Sequence, residues 1–395
     1  MHLPEQKPID VEAWLTQLGQ PSADRDYKPG HQRMHELLKP LAIKPPKLRI
    51  RIAGTNGKGS TAFMLSNALQ ACGLRVGLYT SPHILNFGER IRINGMPASE
   101  TMLLELMQSV MPAALNTGAS YFETATALAL KYFSDAAVDV EILEAGVGAR
   151  LDATTAVEAD MALITPISLD HQNWLGDTLE DIATEKAHIS DGCLYCISQA
   201  QVDEVKSILT AHNPDTRFVE LDNSIQVAAP GRHQQQNGTL ALAAIKQLAA
   251  SNIIDSNQIK VAKKAIEQSE IPGRLQRVSL GKATIWLDAA HNAHAVKALL
   301  PTLPALAEPL TSILIFTRED RDLSDTLALL KPYTARLVGE VNGDIGIPYP
   351  SVADALEGEL NNNPDGNFLV LGSFITVAAA LERLKEPFPH MDVRL

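Results

Sequence analysis

The amino-acid sequence predicts an α/β protein, in which a P-loop-containing, mostly parallel sheet with flanking helices precedes a smaller, Rossmann-like α/β domain. Strand-like and helix-like segments alternate along most of the chain, as is typical of parallel sheets. A glycine-rich loop joins a strand-like segment to a helix-like one. The chain has 395 residues, more than the roughly 250–300 residues over which one hydrophobic core grows, so we expect two domains.

We assign residues 1–269 to the first domain. Its first strand is predicted at 48–53, LRIRIA, where apolar and polar residues alternate. The segment 60–72, after the glycine loop, predicts a helix with an apolar side that ends at Gly73. The next segment, 75–80, predicts a second strand. The three elements together predict a β-α-β unit with parallel strands.

The alternation continues to the end of the chain. In the first domain we predict helices at 99–116, 122–134 and near 178–190, strands at 138–143 and 161–165, and further strand–helix alternation to about residue 268. Pro272 and Gly273 break any helix and mark the start of the second domain, residues 270–395. There we predict strands near 284–288, 311–316 and 367–371, and helices at 294–304, 323–330 and 374–384.

Composition excludes several classes of protein. Hydrophobic residues make up 45% and charged residues 20% of the chain, which is ordinary for a globular protein. The net charge of −12 argues against nucleic-acid or membrane partners, although a local basic pocket for phosphates remains compatible with it. Because neither a signal region nor an apolar run of about 18 residues is found, we expect a cytoplasmic protein. Cys193 and Cys196 lack a second cysteine pair, so we expect no structural zinc.

The glycine loop reads GTNGKGST and is a candidate phosphate site. Its backbone N–H groups and the positive end of the following helix favour phosphate oxygens, and Lys58 would add a full positive charge. The loop departs from the common pattern G-x-x-x-x-G-K-[ST], because Ile52 replaces the first glycine and Gly59 replaces the serine or threonine. We assign the binding of nucleotide phosphates to the whole loop: Gly54, Thr55, Asn56, Gly57, Lys58, Gly59, Ser60 and Thr61.

Polar residues also follow three other predicted strands. Ser81 follows the second strand, Glu144 follows the strand at 138–143, and Asp170 and His171 follow the strand at 161–165. Ligands of open parallel sheets bind at the carboxyl ends of the strands, so these side chains should share an edge with Lys58. Oxygen ligands with an occasional histidine suit Mg²⁺ beside a nucleotide.

Eight blocks of sequence carry a resemblance that runs from about Trp14 to Ala378. The chain resembles the folylpolyglutamate synthase/dihydrofolate synthase family, a branch of the ATP-dependent Mur-type amide ligases. The blocks occur in this order: GTNGKGST, TSPHILNFGERIRING, FETATALAL, EAGVGARLDATT, LDHQNWLGDTLEDIATEKA, IPGRLQ, LDAAHNAHA and LVLGSFITVA.

The resemblance implies a reaction and its machinery. ATP phosphorylates a carboxylate, and the amine of L-glutamate then attacks the acyl phosphate to form an amide. Lys58 would neutralise phosphate charge, while Ser81, Glu144 and His171 would hold Mg²⁺. Lys186 would be carbamylated and help to hold a second Mg²⁺. The catalytic set implied is Lys58, Lys186, His171 and His291.

The resemblance also implies substrate contacts. Dihydropteroate and reduced folates would be recognised through Phe87, Glu89, Arg90, Phe122 and Asp152. An aromatic face can stack on a pterin and an arginine can bind a carboxylate; a structural Glu89–Arg90 pair is the alternative. On the other side of the expected nucleotide cleft, contacts to adenine, phosphate, ribose and glutamate are implied for Asn237, Arg274, Asp288, His291 and Ser373. We group these residues with the second domain, although Asn237 itself falls within 1–269.

Three functions remain open at this point. The first is a bifunctional ligase that acts on both dihydropteroate and reduced folates, working as a monomer. The second is a ligase with one of these activities or with another carboxylate acceptor, because the family's I-D-L-G-L-type segment is replaced by ADRDYKPGHQRM, where only Arg33 preserves part of it. The third is a nucleotide-binding switch without ligase activity.

In the second domain, Asp320, Arg321 and Asp322 occupy the positions of the family's D-K-D motif, with arginine in place of lysine.

Overall fold

The computed structural model describes residues 11–16, 30–306, 310–317, 324–334, 336–339, 347–386 and 393–394. The residues of the D-K-D-like segment, Asp320 to Asp322, lie outside these ranges. The chain divides into two compact units. The first runs to Ile225 and includes Gln236–Glu267, and the second contains Gln226–Gln235 and the chain from Gln268 onward. The predicted α/β class is confirmed, with a mostly parallel sheet in each unit.

The sheet of the first unit has eight strands among the described residues: β1 Leu48–Ala53, β2 Val76–Tyr79, β3 Ile91–Ile93, β4 Met96–Pro97, β5 Val140–Glu144, β6 Met161–Ile164, β7 Tyr195–Gln199 and β8 Arg217–Val219. Their spatial order is β4-β3-β2-β5-β1-β6-β7-β8. The six strands from β2 to β8 in that order are parallel, and β3 and β4 form an antiparallel edge. The β3–β4 turn consists of Asn94 and Gly95, both at positive φ, as a tight hairpin requires.

The helices of this unit are α1 Val11–Thr16, α2 His31–Leu38, α3 Lys58–Ala71, α4 Glu100–Thr117, α5 Tyr121–Asp135, α6 Gln172–Leu175, α7 Leu179–Ala187, α8 Asp203–His212, α9 Arg232–Ala250 and α10 Ile259–Glu267. The first residues of α9 belong to the second unit. One core packs α2, α4 and α5 together through residues such as Met34, Val110 and Leu128. Another packs α7 and α8 through Ile182, Val205 and Leu209.

Strand β1 is buried on both faces, although its alternating sequence predicts one polar, half-exposed face. Arg49 and Arg51 are both buried. Arg49 Nε donates to Glu141 Oε2 at 2.6 Å, and its Nη1 donates to Glu158 O at 2.6 Å. A buried ion pair satisfies the charge that an unpaired arginine would leave, which is why Arg49 can lie inside a central strand.

The second unit has a sheet of the described strands β9 Gln276–Leu280, β10 Ala283–Asp288, β11 Ser312–Ile315, β12 Leu337–Gly339, β13 Ile347–Pro348, β14 Asn367–Leu371 and β15 Val393–Arg394. Their order is β13-β12-β11-β14-β10-β9-β15, and β9 and β15 are the antiparallel members. The described helices are α11 Ala293–Leu299, α12 Ser324–Leu330, α13 Val352–Asn362 and α14 Phe374–Lys385.

The predicted elements agree with these bounds to within a few residues, with one informative exception. The helix predicted at 294–304 ends as an α-helix at Leu299 and continues as a 3₁₀ turn, Leu300–Leu306. Pro301 and Pro304 lie in that turn, and proline cannot donate the hydrogen bond that an α-helix interior requires. Within the described ranges, each helix is too short or too polar to span a lipid bilayer.

Candidate active site

The glycine loop lies at the topological switch point of the first sheet. β1 has β5 on one side and β6 on the other, so the loop leaves the sheet where the carboxyl ends of three parallel strands meet. Gly54 has a φ of 139°, and a Cβ added there would lie 2.0 Å from Thr165 Oγ1. The loop can therefore approach β6 this closely only because residue 54 is glycine.

Hydrogen bonds to the segment after β6 fix the loop in place. Thr55 N donates to Pro166 O at 2.9 Å. Thr55 Oγ1 donates to Ser168 O at 2.9 Å and accepts from Ser168 N at 3.0 Å. Three bonds to one threonine hold the loop backbone rigid, which pre-orients its N–H groups.

The Asn237 side chain packs against Gly57 of the loop. A Cβ on Gly57, whose φ is 90°, would lie 2.4 Å from Asn237 Oδ1. The same oxygen accepts from Gln199 Nε2 at 3.1 Å. Asn237 belongs to the first unit and lies within residues 1–269, apart from the second-domain residues with which we grouped it: α9 passes from one unit to the other just before it.

Lys58 begins helix α3 and folds back over the loop. Its Nζ donates to Gly54 O at 3.2 Å and to Thr55 O at 3.3 Å. Gly57 is the N-cap of α3 and offers no side-chain capping bond. The helix therefore presents N–H groups and a positive dipole end next to the lysine, a combination that suits an anion.

Lys186 contacts the same loop from helix α7. It is 3% exposed, on α7, and its Nζ donates to Gly54 O at 2.9 Å. Burial, with a smaller contribution from the nearby Lys58 ammonium, lowers the pKa of Lys186 to about 7. Asp170 and Asp152 oppose this shift, so both carboxylates lie within electrostatic reach of the lysine. A substantial fraction of Lys186 is therefore a neutral amine at neutral pH.

Ser81 and Glu144 meet at the other edge of the loop. Ser81 N donates to Glu144 Oε2 at 3.0 Å. The same carboxylate oxygen lies 3.4 Å from where a Cβ on Gly59 would be. Glu144 thus lies beside the position that the serine or threonine of a common G-K-[ST] loop would occupy, and Ser81 contacts it from the neighbouring strand end.

Two buried hydroxyl groups lie in the first turn of α3. Ser60 Oγ and Thr61 Oγ1 have no hydrogen-bond partner within the part of the chain that the structure describes. A buried hydroxyl normally has a partner, because its desolvation is otherwise costly. These two atoms are therefore consistent with a polar ligand at the loop.

Asp170 and His171 follow β6 and Thr165. His171 has a φ of 51°, and its side chain is 44% exposed. Its Nε2 lies 3.9 Å from Asp170 Oδ2. The structure thus brings Asp170 into the electrostatic surroundings of Lys186 and leaves the His171 ring at the surface of the same edge.

The loop after β2, residues 83–90, is predicted to recognise the pterin, and hydrogen bonds within the loop hold its conformation. Glu89 accepts hydrogen bonds from the backbone N–H groups of Ile84, Leu85 and Asn86, at 2.9–3.0 Å. Arg90 Nε bonds to His83 Nδ1 at 2.8 Å rather than to Glu89. Phe87 is only 5% exposed and its ring is nearly perpendicular to that of Tyr121; the substrate contacts assigned to Phe87, Glu89 and Arg90 stay predictions.

Phe122 and Asp152 flank the loop after β5. The Phe122 ring covers Gly146, where a Cβ would lie 2.6 Å from the ring. Asp152 accepts from Gly146 N at 2.9 Å and Val147 N at 3.2 Å, and its other oxygen accepts from Thr154 N at 2.9 Å. Asp152 therefore shapes this loop, and the substrate contacts assigned to both residues stay predictions.

In the second unit the predicted residues surround the end of β10. Asp288 is buried and accepts from Leu275 N at 2.8 Å and from Ala290 N at 2.7 Å. Burial raises its pKa, against the opposing charge of Arg274. The Arg274 guanidinium lies 4.7 Å from the centroid of the Phe374 ring.

His291 and Ser373 lie near the same strand ends. His291 Nδ1 is 3.0 Å from Ala289 O, which orients the ring in the tautomer that donates from Nδ1. Ser373 Oγ accepts from Thr376 N at 3.0 Å and caps α14. The nucleotide and glutamate contacts that we assigned in this unit stay predictions.

Two positioning residues were not found from the sequence. Gln199 ends β7 and holds Asn237, and His83 holds Arg90. A signal existed for Gln199, because a polar residue at the carboxyl end of a buried parallel strand faces the ligand edge. No pattern in the sequence indicated that His83 would pair with Arg90.

Comparison with known proteins agrees with this geometry. The family model of the Mur ligase middle domain matches residues 52–223. The chain is 33% identical over 374 residues to a dihydrofolate synthase/folylpolyglutamate synthase from Escherichia coli, covering 86% of this chain and 87% of that protein. The structure of E. coli FolC in complex with DHPP and ADP is similar with a TM-score of 0.79 and 28% identity, over 94% of this chain and 97% of that one.

A Mycobacterium tuberculosis folylpolyglutamate synthase complexed with ADP and AMPPCP is also similar, with a TM-score of 0.78 and 27% identity, over 96% of this chain and 100% of that one. These similarities extend over both units rather than the nucleotide loop alone. The resemblance of the eight sequence blocks is thereby confirmed, and the chain belongs to the dihydrofolate synthase/folylpolyglutamate synthase family of Mur-type ligases.

Proposed function

We propose that this chain is an ATP-dependent ligase that joins L-glutamate, through an amide bond, to dihydropteroate and to reduced folates. The observation that carries the proposal is the convergence of Lys58, Lys186 and Glu144 on the glycine loop at the switch point of the sheet. The name of the E. coli relative covers both activities, and the similar structure of E. coli FolC contains DHPP and ADP.

In the first step, a carboxylate oxygen of the acceptor attacks the γ-phosphorus of ATP. The bond between that phosphorus and the β–γ bridging oxygen breaks, ADP leaves and an acyl phosphate forms. Lys58 would exchange its bonds to Gly54 O and Thr55 O for phosphate oxygens, so its charge stays neutralised while the nucleotide is bound. The N–H groups at the start of α3 would hold the same oxygens.

In the second step, the amine of glutamate attacks the acyl carbon. The amine loses a proton, phosphate leaves with the electron pair of the carbon–oxygen bond, and the amide remains. We propose His171 as a catalytic residue of the first unit, and His291 and Ser373 as contacts to glutamate or nucleotide in the second. Arg274 and Asp288 would contact phosphate and ribose, and Asn237 would support the loop beneath the nucleotide.

Mg²⁺ fits the donor set at the loop. The Glu144 carboxylate and the Ser81 hydroxyl, with His171 on the same edge, are the residues that would hold it, since hard cations prefer oxygen ligands. When bound, Mg²⁺ would offset the charge of the transferred phosphoryl group. The buried, unpartnered hydroxyl of Ser60 is the observation in favour of a polar ligand here.

We further propose that Lys186 is carbamylated and helps to hold a second Mg²⁺. A neutral amine attacks CO₂, a nitrogen–carbon bond forms, and the amine releases one proton to leave an anionic carbamate. The pKa of about 7 makes the neutral amine available near neutral pH. As an ammonium, Lys186 would repel a metal ion; as a carbamate, it would attract one.

The test is a coupled assay for ADP and phosphate. Purified chain is supplied with ATP, Mg²⁺ and L-glutamate, and with dihydropteroate or tetrahydrofolate in separate reactions. Release that requires both the pterin acceptor and glutamate supports the proposal. Release with only one acceptor reduces it to a monofunctional ligase, and release with neither, but with another carboxylic acid, overturns the folate assignment.

We also propose that the chain works as a monomer on small molecules in the cytoplasm, without nucleic-acid or membrane partners. The net charge of −12 supports the absence of polyanionic partners. Light scattering of the purified chain at several concentrations tests the monomer, because a dimer would give twice the mass.

A further inference from the structure

A second polar cluster lies outside the glycine-loop site, at the ends of helices α7 and α8. His188 Nδ1 lies 2.8 Å from Asp191 Oδ2, and His212 Nε2 lies 2.7 Å from Asp191 Oδ1. One ligand atom from each of the three residues can be chosen so that all lie within 4.8 Å of one another. One carboxylate therefore bridges two imidazoles, and we call these residues the His188–Asp191–His212 cluster.

The cluster joins the turn after α7 to the end of α8. His188 begins the short 3₁₀ turn that follows α7, and Asp191 N donates to His188 O at 3.1 Å. His212 is the last residue of α8. The two rings meet edge to face, with centroids 4.6 Å apart. The ligand atoms are thus brought together by packed elements and not by a single loop.

We propose that the His188–Asp191–His212 cluster binds one divalent transition-metal ion, with Zn²⁺ as the best fit. Two imidazole nitrogens and one carboxylate oxygen are a common ligand set for zinc with a fourth position open to water. Two neutral imidazoles and one carboxylate carry a net charge of −1, which favours a dication. Mg²⁺ is the poorer fit because it prefers oxygen ligands.

Binding requires only a local change of the hydrogen bonds. The nitrogens that face Asp191, His188 Nδ1 and His212 Nε2, would become metal ligands, and each neutral ring would carry its proton on the other nitrogen. The Asp191 carboxylate would turn from two hydrogen bonds to the metal. The carboxylate of Asp191 is 56% exposed, so an ion and its water can reach the cluster from solvent.

The proposed site does not use the C-x-x-C pair of the sequence, Cys193 and Cys196. Cys193 is half-buried and Cys196 is buried, and neither thiol belongs to the His188–Asp191–His212 cluster. The proposed site also does not depend on the ligase activity. Its expected effect is to tie the end of α7 to the end of α8, which would stabilise the folded chain.

The experiment uses the full chain, stripped of metal by a chelator and free of nucleotide. We expect isothermal titration with ZnCl₂ to show a saturable site that is absent from Asp191→Asn and His212→Gln, or weakened there by at least about 10-fold. Zinc should raise the Tm of the unmodified chain but not of these variants. His294→Gln removes an exposed histidine elsewhere and should behave like the unmodified chain.

Two outcomes of the zinc titration overturn the proposal. The first is a lack of saturable binding at micromolar Zn²⁺, and the second is equal binding in the unmodified chain and both cluster variants. Because the variants also lose hydrogen bonds, Co²⁺ gives a readout on the unmodified chain. Strong d–d absorption of four-coordinate Co²⁺ supports the site, and only the weak spectrum of hydrated Co²⁺ contradicts it. Circular dichroism checks that each variant is folded.

Discussion

Lys58 and Lys186 donate hydrogen bonds to the same atom, the carbonyl oxygen of Gly54, at 3.2 and 2.9 Å. The two residues come from different helices, α3 and α7, and both contact one glycine loop. Two like charges sharing one acceptor raise the local positive potential, which is one reason why the pKa of Lys186 falls to about 7. The loop is therefore arranged to gain negative charge, whether from a phosphate or from a carbamate.

Replacing Lys58 by alanine should lower kcat by about 10²–10³-fold, because a preorganised cation is lost where phosphoryl charge develops. The free energy of unfolding should change by less than about 1 kcal/mol, since the ammonium bonds only to loop carbonyls. ADP release and urea unfolding measure the two effects. The control is Lys282→Ala, an exposed lysine of the second unit; equal rates in both variants would exclude the phosphate role.

Activity should depend on CO₂ through Lys186. After dialysis against CO₂-free buffer at pH 6, where Lys186 is mostly protonated, activity assayed at pH 8 should be low and should recover when bicarbonate is added. Intact mass under non-acidic conditions should show one added CO₂. Lys186→Arg keeps the cation but is expected to be inactive under both conditions. Full activity and an unmodified mass in CO₂-free buffer would refute the carbamate.

Lys186→Met should stabilise the chain while it abolishes turnover. The pKa of Lys186 is about 7 in the folded chain against 10.5 for an ordinary lysine, so between pH 7 and 10.5 the unfolded chain holds more protons. The unfolding free energy contributed by this residue therefore rises with pH across that window and is flat below it. At pH 7 and below, the methionine variant should be more stable by roughly 1–3 kcal/mol.

Urea unfolding of both proteins from pH 6 to 10, in CO₂-free buffer, measures this difference. The advantage of the methionine variant should shrink as the pH rises toward 10. Parallel stability profiles for the two proteins would mean that the pKa of Lys186 is not lowered in the folded chain.

Gly57→Ala should destabilise the chain by about 1–3 kcal/mol, because residue 57 has a φ of 90° and its Cβ would lie 2.4 Å from Asn237 Oδ1. Gly59→Ala is the matched change two residues later. Its Cβ would meet nothing closer than 3.4 Å, and alanine favours the first turn of α3. Urea unfolding should separate the two variants clearly; equal stabilities would contradict the described loop geometry.

Asp152→Asn should cost about 1–3 kcal/mol of unfolding free energy. Its two oxygens accept from Gly146 N and Thr154 N, so either orientation of an amide sets its NH₂ group against an N–H donor. The control is Asp255→Asn. Asp255 caps the turn Ser256–Gln258, and asparagine is as good an N-cap as aspartate. Thermal unfolding should show a loss for the first substitution only.

The succession of strands and helices along the chain and the position of the glycine loop could be predicted because their signals are local. A loop such as GTNGKGST between a strand and a helix is readable from the neighbouring residues. Ser81 and Glu144 could be placed beside it because both follow parallel strands, whose carboxyl ends share one edge.

The rest depended on partners distant in sequence. The burial of Arg49 follows from Glu141, 92 residues later, and the packing of Gly57 follows from Asn237, 180 residues later. Phe87 is predicted to stack on a pterin, and its burial against Tyr121 follows from a partner 34 residues later. Aromatic residues in loops are equally suited to both roles, and only the tertiary structure decides between them.

The glycine at position 59 also matters for inhibitor selectivity. In nucleotide-binding proteins of the G-K-[ST] type, a hydroxyl side chain follows the lysine. In this chain the nearest atoms to the corresponding point belong to the Glu144 carboxylate, 3.4 Å away. A nucleotide analogue with a methyl-sized substituent directed at this point would fit beside a glycine here and would clash with the hydroxyl side chain elsewhere, which would let it distinguish this enzyme from nucleotide-binding proteins of the G-K-[ST] type.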